Sequence, residues 1–150
     1  MKSIVLFISA FIIALFGIVT LFMSTAVLFG LFNIREKEGN YVLFVVVANF
    51  VCAFLYLAAA YGFFTKKKWT TMVLNFSVAI LVITFIGLGI HIYTGGIYEH
   101  KTVYAMMFRT IVTIAFLLIS LKYISREAIK IIDWPEFHAF MTDIIFRIFL

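Results

Sequence analysis

The sequence predicts an all-α membrane protein in which four transmembrane helices form an up-down-up-down bundle, followed by a C-terminal amphipathic helix at the membrane interface. Three observations support this prediction. The 150-residue chain is 65% hydrophobic and only 13% charged, whereas a soluble domain is about half apolar and a quarter charged. Its apolar residues fall into four long stretches. The connections between these stretches are short, as is usual for antiparallel neighbouring helices.

Each of the four apolar stretches is long enough to cross a bilayer as a helix. About 20 apolar residues cover the hydrocarbon core, and only helices or closed barrels satisfy the backbone in lipid. Continuous runs such as residues 42–47 lack the alternation of a barrel strand. We therefore predict transmembrane helices over residues 4–32, 41–64, 71–93 and 102–123.

We expect the first stretch to be a helix of the mature protein. Lys2 followed by an apolar run resembles a secretory signal peptide, but the apolar core of such a peptide is roughly 7 to 15 residues long. The run here is about twice that length. Four small residues recur along it at intervals of seven and predict a helix-packing seam, within the bundle or against another chain: Ser3, Ala10, Gly17 and Ser24.

The chain changes character after Tyr123. We divide it into a four-helix transmembrane domain, residues 1–124, and a cytoplasmic-side amphipathic segment, residues 125–150. The second part mixes charged and apolar residues and is too polar and too short to span the bilayer. We expect it to lie as a helix in the membrane interface; the alternative is a helix that docks on a partner.

The distribution of Lys and Arg predicts the orientation. Short cytoplasmic loops collect basic residues, and an arrangement with both chain ends inside places eight Lys and Arg on the inner side against three outside. The second connection alone contributes Lys66, Lys67 and Lys68. We expect an integral protein of a bacterial cytoplasmic (inner) membrane. The net charge of +5 does not indicate nucleic-acid binding, because the basic residues form no continuous face.

One basic residue, Arg109, lies inside the fourth predicted helix. An arginine at the centre of a span costs at least about 2.5 kcal/mol, so its side chain should face protein or water. A polar stripe at helical spacing supports this orientation and comprises Thr102, Arg109, Thr113 and Ser120. The stripe suggests a contact for an anion, a lipid headgroup or a partner chain. The alternative is a structural arginine that extends to the interface and pairs with Glu99.

A metal site at the outer end is a second hypothesis. His91 ends the third predicted helix, and Glu99 and His100 follow in the next connection. Imidazole and carboxylate groups suit zinc or copper, but this spacing fits no known metal motif. We predict no cofactor, with a metal ion as the weaker alternative. The single cysteine, Cys52, lies in an apolar run and reads as a packing residue.

The absence of further motifs limits the possible functions. No Asp or Glu lies inside a predicted span, which disfavours a proton- or sodium-coupled transporter. The sequence contains no phosphate-binding Gly-rich loop and no HExxH motif, so an enzyme is the least favoured class. We expect a non-catalytic subunit or accessory protein of a larger membrane complex, in contact with lipid and other membrane chains as a homo- or hetero-oligomer. The alternative is a small binding or transport protein that handles a metal ion, lipid or anion at the outer face.

Overall fold

The computed structural model describes residues 2–31 and 41–124. Within these ranges it is all helical, without strands, and contains α1 (Lys2–Phe29), α2 (Leu43–Phe64), α3 (Trp69–Tyr93) and α4 (His100–Tyr123). All four helices are long and apolar enough to span a membrane, as predicted, and they indicate an integral membrane protein. The predicted amphipathic segment, residues 125–150, lies outside the described residues.

The last residues of α2, α3 and α4 are those predicted, whereas the other helix ends differ from the prediction by two or three residues. α1 stops at Phe29, because Gly30 adopts a left-handed conformation with φ of 66°, and glycine commonly terminates helices in this conformation. α3 and α4 begin earlier than predicted, at Trp69 and His100. Polar and aromatic residues at a membrane interface continue a helix beyond its apolar core, so hydropathy alone places these ends poorly.

Each helix packs mainly against its neighbours in the chain, and α1 and α4 come close to each other at few positions. The start of α1 lies beside the end of α2, where Lys66 Nζ donates a hydrogen bond of 3.0 Å to Ser3 Oγ. The start of α3 lies beside the end of α4, where the hydroxyls of Thr71 and Ser120 share a hydrogen bond of 2.6 Å. We term this part of the bundle, next to the connection 65–68, the lysine end.

The buried positions of the helices follow an alternating spacing of three and four residues. An average spacing of 3.5 residues is that of left-handed coiled-coil packing, which is common among membrane helices. The pattern is most regular on α2 and the residue before it, where one buried row comprises Val42, Val45, Asn49, Cys52, Tyr56, Ala59 and Phe63, and Ala53, Ala60 and Gly62 are buried beside this row. The packing therefore fixes which face of each helix is directed inward, including the faces that carry Asn49 and Arg109.

Candidate functional site

A cavity of about 290 Å³ lies at the end of the bundle opposite the lysine end, which we term the cavity end. The end of α1 and the starts of α2 and α4 form its walls. Its polar lining side chains are Ser24, Tyr41, Asn49, Lys101, Thr102 and Arg109, and its apolar lining comes from Met23, Val27, Val42, Val45, Val46 and Ala105. The site is therefore amphipathic, with polar groups supplied by three helices.

Helix geometry explains why these polar groups meet. Asn49 lies six residues after the start of α2, and Arg109 lies nine residues after the start of α4. At a rise of 1.5 Å per residue they lie roughly 9 and 14 Å below the helix starts. Ser24 lies five residues before the end of α1, roughly 8 Å below it. Because these three helix termini share the cavity end, the side chains converge at similar depth.

Both charged groups of the cavity lining are cationic. Arg109 is half-buried, and Lys101 is exposed at the rim. Among the described residues that line the cavity there is no Asp or Glu. Attraction between charges is stronger in a partly buried site than in bulk water, so this lining favours an anionic group in the cavity.

Asn49 adds a hydrogen-bond acceptor to the cavity wall. The side chain is 6% exposed, and its Oδ1 atom is buried without a hydrogen-bond partner among the described residues. Leaving a buried acceptor unsatisfied costs about 1–3 kcal/mol, and such groups are uncommon in folded proteins. A donor group on a bound molecule would satisfy this oxygen.

Aromatic and hydroxyl side chains connect α1, α2 and α4. The ring of Phe16 packs against Tyr56, with centroids 5.2 Å apart, and against Phe108, with centroids 6.3 Å apart. Thr113 donates a hydrogen bond to the carbonyl oxygen of Arg109 (2.7 Å). The Tyr56 hydroxyl is therefore the donor in its own 2.7 Å bond with Thr113 Oγ1. These contacts hold together the three helices that also line the cavity.

The predicted polar stripe on α4 divides into two parts. Thr102 and Arg109 line the cavity. Thr113 and Ser120 are fully buried, and each shares a hydrogen bond with a hydroxyl group of another helix. We retain the anion-contact hypothesis for Thr102 and Arg109, while Thr113 and Ser120 hold helices together.

The residues of the metal hypothesis do not line the cavity. His91 Nε2 lies 3.2 Å from the carbonyl oxygen of Ile97, and the exposed ring of His100 packs with its edge against Tyr98. Glu99 is half-buried at the start of α4. No three His, Cys, Asp or Glu side chains of the described ranges form a group that could hold a metal ion. The geometry thus gives the metal hypothesis no support.

The small-residue seam of α1 contributes to packing within the chain. Ala10, Gly17 and Ser24 are buried, and a Cβ atom at Gly17 would lie 3.1 Å from side-chain atoms of Tyr56 and Leu57 on α2. Ser3, at the exposed start of the seam, accepts the hydrogen bond from Lys66 described above. Of the two alternatives for this seam, the described contacts favour packing inside the bundle.

Sequence reasoning missed four polar residues of the cavity. It assigned Ser24 to a packing seam and gave Tyr41, Asn49 and Lys101 no role in a site. Asn49 and Arg109 lie at similar distances from the starts of α2 and α4. The sequence gives these distances, but it does not show that both helix starts lie beside the same cavity.

Comparison with known proteins gives no relative: no protein-family model, curated protein or solved structure matches the chain. The function therefore has to be argued from the cavity and its chemistry.

Proposed function

We propose that this chain is a membrane protein that binds an anionic group, a phosphate or a carboxylate, in the cavity. The observation that carries the proposal is the cavity lining, which combines the cations Arg109 and Lys101 with the hydroxyl of Thr102 and includes no described acidic residue. Arginine and lysine are the usual partners of phosphate and carboxylate groups. This is the binding-protein alternative among the functions that the sequence suggested.

The same proposal includes an orientation in the membrane. We place an up-down-up-down bundle across a bacterial cytoplasmic membrane, with both chain ends inside and the cavity facing the outer side. The hydrogen bonds Lys66–Ser3 and Thr71–Ser120 support alternating helix directions, since each joins the start of one helix to the end of another. The lysines of the connection 65–68 support an inner location of the lysine end.

Anion binding is tested by thermal unfolding of the purified protein in a neutral detergent. The probes are inorganic phosphate and phosphatidylpropanol, a lipid with one negative charge and no headgroup hydroxyl. We expect at least one of them to raise the unfolding temperature in a saturable manner, because a ligand that binds the folded state stabilises it. Phosphatidylcholine, which has no net charge, should produce a smaller rise.

The matched variants are Arg109→Gln and Lys122→Gln, which each remove one cation from α4. Arg109 lines the cavity, whereas Lys122 is exposed at the other end of the helix. We expect the first change to abolish the response to anions and the second to leave it intact. An equal response in both variants, or no response of the wild type to either anion, would contradict the proposal.

A second candidate function is a non-catalytic subunit of a larger membrane complex. The observation that favours it is Asn75, an exposed amide on α3 beside exposed Phe76. It lies six residues after the start of the helix, roughly 9 Å along its axis. An amide facing lipid is costly without a hydrogen-bond partner, and polar side chains commonly bond across helices in membranes.

The subunit hypothesis is tested by crosslinking in intact membranes and by the mass of the gently extracted protein. A complex with other chains that Asn75→Leu weakens, while the control Ile83→Leu on the same helix does not, would support it. A stable monomer in both measurements would contradict it.

A further inference from the structure

We infer that the ligand of the cavity is a lipid whose anionic headgroup also carries a hydrogen-bond donor, and that it enters sideways between α1 and α4. This inference rests on the proposed anion-binding function and narrows its ligand. Three features of the structure support it: the sparse contact between two helices, the apolar part of the cavity lining, and the buried Asn49 oxygen, which has no hydrogen-bond partner in the described part of the chain.

The first feature is the sparse contact between α1 and α4. Both helices line the cavity, yet they come close to each other at few positions, unlike the helix pairs that follow one another in the chain. The ring contact between Phe16 and Phe108 joins the two helices. Nearer the cavity end, Met23 on α1 and the small, exposed Ala105 on α4 line the cavity. The inferred route of entry lies between these two residues.

The second feature is the amphipathic character of the site. Half of the residues that line the cavity are apolar, which suits a molecule that carries hydrocarbon beside its charge. Exposed apolar side chains continue from the opening toward the lysine end, with Val19 on α1 53% exposed and Phe108 on α4 60% exposed. An acyl chain can lie against these side chains while the headgroup reaches Arg109. A free inorganic anion makes no use of this surface.

The third feature specifies the headgroup. The Asn49 side chain is more than nine-tenths buried and lines the cavity, and its Oδ1 atom has no hydrogen-bond partner within residues 2–31 and 41–124. Carboxylate and phosphate oxygens without a proton are acceptors and leave this oxygen unsatisfied. A headgroup that carries a hydroxyl or amine beside its anionic group satisfies Asn49 and Arg109 together.

The test compares two lipids that differ only in the headgroup hydroxyls. Phosphatidylglycerol and phosphatidylpropanol carry the same charge and three headgroup carbons, and only the first has hydroxyl donors. Native mass spectrometry of the protein in neutral detergent gives the affinity of each lipid. We expect the wild type to bind phosphatidylglycerol roughly 3- to 10-fold more tightly, since a neutral hydrogen bond contributes on this scale.

The variant Asn49→Leu should bind both lipids with equal affinity. Its binding of phosphatidylpropanol also shows that the variant is folded. Ala105→Phe places a large ring on the inferred route between α1 and α4. It should reduce the affinity for phosphatidylglycerol by roughly tenfold or more, which corresponds to about 1.4 kcal/mol of binding free energy. The control Ala79→Phe on the exposed face of α3 should not.

The possible failures are distinguishable. Equal affinity of the wild type for the two lipids, with both dependent on Arg109, would overturn the donor inference and leave the anion-binding function in place. Binding of water-soluble glycerol 3-phosphate as tightly as phosphatidylglycerol would overturn the lipid source. Failure of every anionic probe to bind would overturn this inference and the proposed function together.

Discussion

Buried polar groups at the lysine end and at the cavity end of the bundle differ in their hydrogen bonding. From the middle of the bundle to the lysine end, hydroxyl groups pair across helices, Tyr56 with Thr113 and Thr71 with Ser120. At the cavity end, Asn49 Oδ1 is buried and has no hydrogen-bond partner among the residues that the structure describes. The paired hydroxyls join helices, whereas we propose that Asn49 contributes to binding.

This difference suggests that the bundle uses different polar groups for stability and for the proposed binding. Hydrogen bonds between membrane helices contribute about 0.6 kcal/mol on average to stability. The loss of one hydroxyl pair should therefore not unfold the bundle. An unsatisfied buried acceptor lowers the stability of the folded protein by about 1–3 kcal/mol. Proteins retain such a destabilising group mainly at functional sites. The predictions below test whether the two ends differ in position, packing and energy as this account requires.

The largest expected difference between the ends is their side of the membrane. In a Cys52→Ala background, Lys67→Cys places a label site at the lysine end and Ile97→Cys places one at the cavity end; both positions are exposed. We expect a membrane-impermeant thiol reagent to label position 97 in intact cells and position 67 only after permeabilisation, because basic loops remain inside. The reverse pattern would contradict the proposed orientation.

The next largest effect concerns the close packing of α1 on α2, which supports both ends. A Cβ atom at Gly17 would lie 3.1 Å from Tyr56 Cβ, whereas one at Gly89 would meet nothing within 4 Å. We expect Gly17→Leu to lower the free energy of unfolding by about 1–3 kcal/mol through overpacking, and Gly89→Leu to leave it unchanged or raise it. Detergent-induced unfolding of the two variants gives the comparison. Equal stability would show that α1 does not pack closely on α2.

A smaller effect is expected from the paired hydroxyls. Tyr56→Phe removes the donor to Thr113 and should lower the free energy of unfolding by about 0.6–1.7 kcal/mol, the range for hydrogen bonds between membrane helices. Tyr61→Phe on the same helix, where the side chain is 63% exposed, should change it little. If Tyr56→Phe were as stable as the wild type in the same unfolding assay, the pair would not stabilise the bundle.

Much of this architecture could be predicted from the sequence, because lipid imposes simple rules. The four spans followed from segment length, and the intervals of seven on α1 and α4 identified residues that face inward, such as Gly17 and Thr113. The half-buried position of Arg109 at a cavity wall agrees with the expected avoidance of lipid by a charged side chain.

The cavity itself could not be predicted, since a periodic pattern gives the inward face of a helix without its neighbours. A hydroxyl that binds a ligand and one that bonds to another helix look alike in sequence, so Thr113 and Ser120 were grouped with Thr102. Asn49 shares its face with packing residues such as Cys52 and Tyr56. Its place in the cavity lining distinguishes it from these two residues, and the sequence does not show that place.

The measurement that tests this account most directly is the stability of Asn49→Leu with and without phosphatidylglycerol. In lipid-free detergent micelles we expect the variant to be as stable as the wild type or more stable, because it replaces an unsatisfied buried acceptor with an apolar side chain. In the presence of the lipid the wild type should become the more stable of the two, since it binds the lipid more tightly and gains more stability. A variant that is less stable than the wild type without lipid, and is stabilised equally by it, would contradict the account: Asn49 would then act in folding, as Tyr56 does.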